Sequence, residues 1–149
     1  MFNDNLKLSG QLNIVLRDKN GNVKEERTEK NLVVTSGLGY IASRMKDASA
    51  TAMTHMALGS GTTTAAAGQT DLVTLLGARE ALDSTTVTTN SVAYVSSFEA
   101  GDATGAVTEA GIFNASTSGT MLCRVVFSVV NKAADDTMTV TWTITLAAS

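Results

Sequence analysis

The chain contains no proline and a single cysteine among its 149 residues, and both shortages restrict its structure. Without proline, each tight turn has to be made by residues such as Gly, Asn and Asp, which tolerate the turn conformation or bond to their own backbone. The thiol of Cys123 cannot form a disulfide within the chain, and it lies in the apolar segment 121–130. We therefore expect a buried, unreactive thiol and a chain that folds in a reducing compartment.

Positive charge and long apolar runs are also scarce. Eleven Lys and Arg stand against fourteen Asp and Glu, for a formal net charge of −3 and a pI near 5.0. No segment is uniformly basic, so binding to the phosphate backbone of nucleic acid is not expected. No apolar run reaches the roughly 18 residues that span a bilayer, and residues 1–8 lack the features of a signal peptide. The sequence predicts neither a nucleic-acid partner nor a membrane partner.

Residue clusters typical of catalysis or metal binding are missing. His55 is the only histidine, and zinc coordination needs a cluster of Cys and His that the chain lacks. Segment 18–29 has the alternating acidic and amide spacing of a calcium loop, but Val23 stands where that loop requires glycine. Ser43 and Lys46 match the S-x-x-K spacing of some acyl enzymes, without their companion motifs. We predict a structural histidine, a plain hairpin turn, no cofactor and no enzymatic activity.

The chain does contain strong β-strand patterning. Segment 137–146 reads TMTVTWTITL, in which threonines and apolar residues alternate. Because successive side chains of a strand point to opposite faces, this segment has one apolar face, centred on Trp142, and one hydroxyl face. β-Branched and aromatic residues also favour strands. We predict a strand whose Trp142 anchors the core and whose threonines face solvent or another subunit.

A charged hairpin is predicted at the N-terminal end of the chain, over about residues 17–30. Segment 6–16 alternates like the last strand, and the Asn-Gly step at 20–21 predicts a tight turn. The returning segment, 23–34, begins with charged residues on both faces. Since such a stretch cannot be central in a sheet, we expect it at an exposed edge or in a projecting arm, where charge discourages unwanted strand pairing.

The rest of the chain indicates a mainly β domain with little helix. Apolar spacing over 38–45 predicts a short helix that Thr35 or Ser36 would cap, and a second short helix is predicted near 71–82. Further strands are predicted over 53–58, 92–98, 106–114 and 120–130, and the last of these should lie centrally because it is apolar on both faces. Six or seven mostly antiparallel strands predict one domain over 1–149, an antiparallel β-sandwich or jelly-roll-like fold with one or two peripheral helices.

Three groups of stretches follow one another along the chain. They are NLVVTSGL at 31–38; HMALGSGTT at 55–63 with TDL at 70–72 and AR at 78–79; and EAGIFN at 109–114 with GTMLCR at 119–124. In the order of these motifs, the chain resembles a group of small structural proteins of tailed bacteriophages. Those proteins serve in capsid decoration (cement) or in tail and fibre attachment. The resemblance covers nearly the whole chain. It implies a virion protein built on a β-sandwich, made in the host bacterial cytoplasm, without catalysis or cofactor.

Within that resemblance, a capsid decoration protein on the outer surface of the shell is the favoured role. One compact domain lacks the coiled coil or repetitive shaft of a tail fibre. A tail, collar or fibre-base adaptor is the alternative, and a carbohydrate-binding module is a third class for which one Trp and two Tyr are few. The implied partners are the major capsid protein, further copies of the chain in a dimer or trimer, or both.

Two polar segments are the candidate contact surfaces, because they are poorly suited to a core. They are the charged hairpin strand and the threonine-rich part of the loop over 48–68, with the residues Lys24, Glu25, Glu26, Arg27, Glu29, Lys30, Thr62, Thr63 and Thr64. A solvated hairpin and a flexible loop remain the alternative. Glu109 and Arg124 are predicted to form a structural salt bridge, and Gly111 and Gly119 to occupy bulge or positive-φ positions.

Overall fold

The computed structural model describes residues 5–46 and 50–148. These residues form nine strands and one helix, in the order β1 (Leu6–Arg17), β2 (Val23–Val33), α1 (Thr35–Arg44), β3 (His55–Gly59), β4 (Glu80–Ala81), β5 (Ser84–Thr88), β6 (Ser91–Phe98), β7 (Gly105–Phe113), β8 (Met121–Lys132) and β9 (Thr137–Ala148). Neighbouring strands pair antiparallel in the order β4-β3-β7-β8-β2-β1-β9-β6-β5. The mainly β, antiparallel prediction is confirmed.

The sheet curls so that its two halves share one hydrophobic core. Leu12 of β1 and Trp142 of β9 belong to the same buried cluster as Leu58 of β3 and Ile112 of β7. All four side chains are fully buried. Because these strands come from opposite halves of the strand order, the inner faces of the two halves meet around Trp142.

Strand β9 shows the alternation that its sequence predicts. Its apolar side chains at alternate positions from 138 to 144 are buried, and its threonines are half-buried. The strand lies between β1 and β6, and Thr141 stands opposite Asn13 on one side and Val95 on the other. The threonines therefore form a row on the outer face of this half of the sheet, partly covered by the side chains of neighbouring strands.

The turn between β1 and β2 depends on Asp18 and Gly21. Gly21 has a φ angle of +84°, which glycine adopts without strain. Oδ1 of Asp18 accepts hydrogen bonds from the N–H groups of Asn22 at 3.0 Å and Asn20 at 2.9 Å. These bonds, that from Asn22 first, hold the pKa of Asp18 below its usual value. The predicted hairpin turn is confirmed.

Strand β2 lies inside the strand order, but most of it has one strand neighbour. It pairs with β1 along nearly its whole length, whereas it pairs with β8 only through Leu32 and Val33. Its charged part is therefore an edge, as its polarity predicts, although its last residues join the two halves of the sheet. Across the gap, the guanidinium of Arg27 donates to the backbone carbonyls of Ser128 and Val129.

Helix α1 is present where predicted, but the predicted cap is wrong. Its N-cap residue is Val34, which makes no side-chain capping bond. The hydroxyl of Ser36 instead donates to the carbonyl of Met121 at 2.9 Å. This bond attaches the first turn of α1 to β8, so tertiary contact and not local capping positions the helix.

The second helix predicted near 71–82 does not form. The chain there runs as a loop into β4. The N–H groups of Val73 and Thr74 donate to the carboxylate of Glu109, and not to carbonyls four residues earlier. Leu72 packs in a small apolar cluster on the side of β3 and β7 away from the main core. The spacing of Leu72, Leu75 and Leu76, which is that of one face of a helix, thus belongs to a loop.

Candidate functional site

A buried ion pair joins Glu109 of β7 to Arg124 of β8. Nε and Nη2 of Arg124 donate to Oε2 of Glu109 at 2.9 and 2.7 Å. Both side chains are 0% exposed. Gly111 stands directly opposite Arg124 in the strand register, in a regular part of β7 where its missing side chain gives room to Phe113 and Leu72.

The carboxylate of Glu109 also binds the loop that follows β3. Oε1 accepts from the N–H groups of Thr74 at 2.8 Å and Gly61 at 2.9 Å, and Oε2 accepts from that of Val73 at 3.1 Å. Burial raises the pKa of Glu109, but the hydrogen bonds from Thr74, Arg124, Val73 and Gly61 together outweigh it, so the pKa lies below its usual value. We call Glu109, Arg124 and their bonds to residues 60–74 the loop clamp.

Arg124 holds the same loop from its other side. Its Nη1 donates to the carbonyl of Thr63 and to Oε1 of Gln69, both at 2.9 Å. Oε1 of Gln69 also accepts from the N–H of Ala66 at 2.9 Å. Thr62, Thr63 and Thr64 therefore expose their side chains from an anchored backbone. Residues 48–49 of the predicted contact loop lie outside the described residues.

Four of the six predicted contact charges on β2 form ion pairs within the molecule. Nη2 of Arg27 lies 2.7 Å from Oε1 of Glu25, and its Nη1 lies 4.0 Å from Oε1 of Glu29. Lys24 donates to Asp136 at 2.7 Å, and this bond holds the pKa of Asp136 below its usual value. Asp136 is 3% exposed, and its Oδ2 also accepts from the N–H of Ala133 at 2.9 Å.

The other two charges, Glu26 and Lys30, are exposed, and neither makes an ion pair with a residue that the structure describes. Lys30 and Thr64 line one cleft of about 390 Å³. We call it the β2–β8 cleft; its lining residues are Lys30, Asn31, Leu32, Thr64, Ala65, Arg124, Val125 and Val126. The fold thus brings the two predicted contact segments together.

The β2–β8 cleft combines polar groups with apolar surface. It offers an ammonium group, a hydroxyl group and apolar surface from Leu32 and Val126.

Among residues 5–46 and 50–148, no three His, Cys, Asp or Glu side chains are grouped as metal ligands, and no helix has the length and hydropathy to cross a bilayer. Nδ1 of His55 lies 2.8 Å from the hydroxyl of Thr54. Burial raises the pKa of the Cys123 thiol.

Arg79 is a structural residue whose role the sequence does not reveal. Its guanidinium lies 3.5 Å from the centre of the Phe113 ring and donates to the carbonyls of Ala115 and Ser118. These contacts fix the loop before β4 against the turn between β7 and β8, where Gly119 has a φ angle of +69°. Arg79 lies in an irregular loop, so no periodic pattern marks it as nearly buried.

Comparison with known proteins identifies no relative of the chain. No protein-family model, curated protein or solved structure matches the chain.

Proposed function

We propose that the protein is a structural component of a tailed-phage virion, a decoration protein that binds the outer surface of the major capsid shell and stabilises it. One observation carries the proposal together with the sequence resemblance: Lys30 and Thr64, from separate segments, line one cleft whose loop wall is held by the buried Glu109–Arg124 pair. A preformed surface loses little conformational entropy on binding. That property suits a protein whose task is to make contacts.

We infer in addition that the curled sheet is a jelly-roll-like β-sandwich. The support is the shared core, in which side chains of β1, β6 and β9 pack with side chains of β3, β7 and β8. Two antiparallel layers with short turns are an architecture common among viral capsid domains. Such a domain is stiff, because its strands are cross-linked by backbone hydrogen bonds over a continuous core.

The proposed mechanism is mechanical. The β2–β8 cleft and the exposed threonines beside it contact neighbouring capsid subunits, and the bridging adds contact area that resists the pressure of packaged DNA. The partners are the major capsid protein and further copies of this chain. Because many copies act on one shell, weak single contacts become effective together.

Virus particles that lack the protein test this role. They should assemble but lose resistance to heat and osmotic shock, and added purified protein should restore it. Lys30→Glu should weaken the restoration, whereas Lys19→Glu, the same charge change on the exposed β1–β2 turn, should not. Particles that keep full resistance without the protein but cannot adsorb to cells would contradict the decoration role.

The number of copies per particle separates the proposal from its alternative, a tail, collar or fibre-base adaptor. Quantitative mass spectrometry of purified particles should find hundreds of copies, as binding across a shell requires. A count of about three to twelve, as expected for a ring or spike of low symmetry, would identify the adaptor instead.

A further inference from the structure

Strand β5 ends the sheet with an uncharged outer edge, to which no other strand of residues 5–46 and 50–148 is paired. It is the last strand in the order, with β6 as its neighbour on one side. Its sequence, STTVT, contains no charge, and all five residues are exposed. An unpaired edge of β-branched residues readily pairs with another strand, and proteins usually blunt such edges with charge, proline or a bulge. Residues 84–88 contain neither charge nor proline.

The pairing of β5 with β6 shows which backbone groups are free. The carbonyl of Val95 accepts from the N–H of Asp83 at 2.7 Å, so Val95 turns its polar groups toward β5. Its register partner is Ser84. Because antiparallel pairs alternate between bonded and non-bonded positions, Ser84 and Thr86 face β6, whereas Thr85 and Val87 turn their N–H and C=O groups outward.

The other sheet edges are protected. Strand β4, at the opposite end of the order, has two residues, and one of them is Glu80. The charged part of β2 faces β8 across a gap that Arg27 bridges by its bonds to two β8 carbonyls. Charge and side-chain bonds therefore oppose strand addition at these places, and β5 lacks both devices.

We propose that β5 pairs antiparallel with β5 of a second copy, across a two-fold axis at Thr86. This register places Thr85 opposite the partner's Val87 and Val87 opposite the partner's Thr85, so every outward-facing residue finds an outward-facing partner. The paired residues, 84–88 of each copy, carry no charge, so the pairing brings no like charges together. A two-fold interface has to be self-complementary, and an uncharged strand meets that condition.

The apolar surface beside the edge favours the same pairing. Val87 is 70% exposed. Thr85 and Val87 also line a cavity of about 310 Å³ with side chains that include Ile41, Val92 and Ile144. In the proposed register the partner's Val87 lies beside Thr85, at the mouth of this cavity. Pairing would thus cover apolar surface as well as backbone.

Sedimentation of the purified protein tests the pairing without reference to any phage role, so its failure would leave the proposed function standing. We expect the wild-type protein to be a dimer and Val87→Lys to raise its dissociation constant at least about tenfold. Val23→Lys is the matched control, because Val23 is 52% exposed at the start of β2; it should remain dimeric. A monomeric wild-type protein, or a Val87→Lys variant that dimerises normally, overturns the proposal.

Cross-linking tests the register independently of that variant's folding. The axis places Thr86 next to the partner's Thr86 at a non-bonded pair, where side chains are close. Thr86→Cys should therefore form a disulfide-linked dimer under mild oxidation, whereas Thr88→Cys, opposite the partner's Ser84, should not. The native thiol does not interfere, because Cys123 is buried. Equal cross-linking of both variants, or of neither, overturns the two-fold axis at Thr86.

Discussion

Glu109 meets Arg124 diagonally across two strands. In the register of β7 and β8, Glu109 stands opposite Val126, and Arg124 stands opposite Gly111. The guanidinium therefore reaches back two positions to bind one carboxylate oxygen, Oε2, through two nitrogens at 2.9 and 2.7 Å. The other oxygen, Oε1, remains available for the backbone of the loop. One ion pair thus connects two strands and a loop.

Removal of either member of the pair should destabilise the protein strongly. Glu109→Ala leaves the Arg124 charge and the Thr74 N–H without their partner in a buried site, and such a change costs about 3–5 kcal/mol. Urea unfolding should show this loss of unfolding free energy. Asp71→Ala is the control, because the pair of Asp71 with Arg79 has an exposed carboxylate and is worth less than about 1 kcal/mol. Equal losses in the two variants would show that the clamp is not a stabilising element.

The clamp should also make stability depend on pH. The pKa of Glu109 is lower in the folded protein than its ordinary value of 4.5, so its carboxylate stabilises the fold above pH 4.5 and loses this contribution as the pH falls through the folded-state pKa. Wild type and Glu109→Gln should therefore differ most in unfolding free energy near neutral pH. Urea titrations between about pH 6 and pH 3 should show the difference shrinking; a constant difference would contradict the assignment.

Gly10 should be intolerant of a side chain because of Asn31. The two residues are directly opposite in β1 and β2, and a Cβ at Gly10 would lie 1.5 Å from Oδ1 of Asn31. That oxygen accepts from the indole N–H of Trp142 at 2.9 Å. Gly10→Ala should displace it and cost about 1–3 kcal/mol through the unpaired N–H, with a shift in tryptophan fluorescence. In an Asn31→Ala background the same change should cost less, and additive costs would refute this reason.

Two glycines of α1 should respond oppositely to alanine. A Cβ at Gly37 would lie 2.0 Å from the carbonyl oxygen of Leu122, whereas a Cβ at Gly39 meets nothing within 4 Å. Gly37→Ala should lift the helix from β8 and cost about 1–3 kcal/mol. Gly39→Ala should stabilise the helix by about 0.5–1 kcal/mol. Thermal unfolding of the two variants measures both changes in stability. A destabilised Gly39→Ala variant would mean that helix propensity does not determine the effect of alanine at residue 39.

The elements that the sequence predicts well are those with a local cause. The alternation around Trp142 marks β9 because the period of a strand is two, and the Asn20-Gly21 step marks the first hairpin because that turn needs a positive φ. The charges of β2 indicate an edge because a strand with charged side chains on both faces is poorly suited to the interior of a sheet. The spacing of Leu72, Leu75 and Leu76 misleads, because the three leucines lie in a loop: Leu72 and Leu76 pack against different clusters and Leu75 is exposed.

Residue types alone suggest that Glu109 and Arg124 pair and that Lys30 and Thr64 are contact residues. Only the tertiary structure decides that the pair holds residues 60–74 and that Lys30 and Thr64 share a cleft. The reason is physical: strand patterns follow from periods within a few residues of chain, whereas the register of β7 on β8 and the gap between β2 and β8 depend on packing between distant segments. The sequence determines a mainly β protein with polar surfaces, and the folded chain decides which of those surfaces are free to bind.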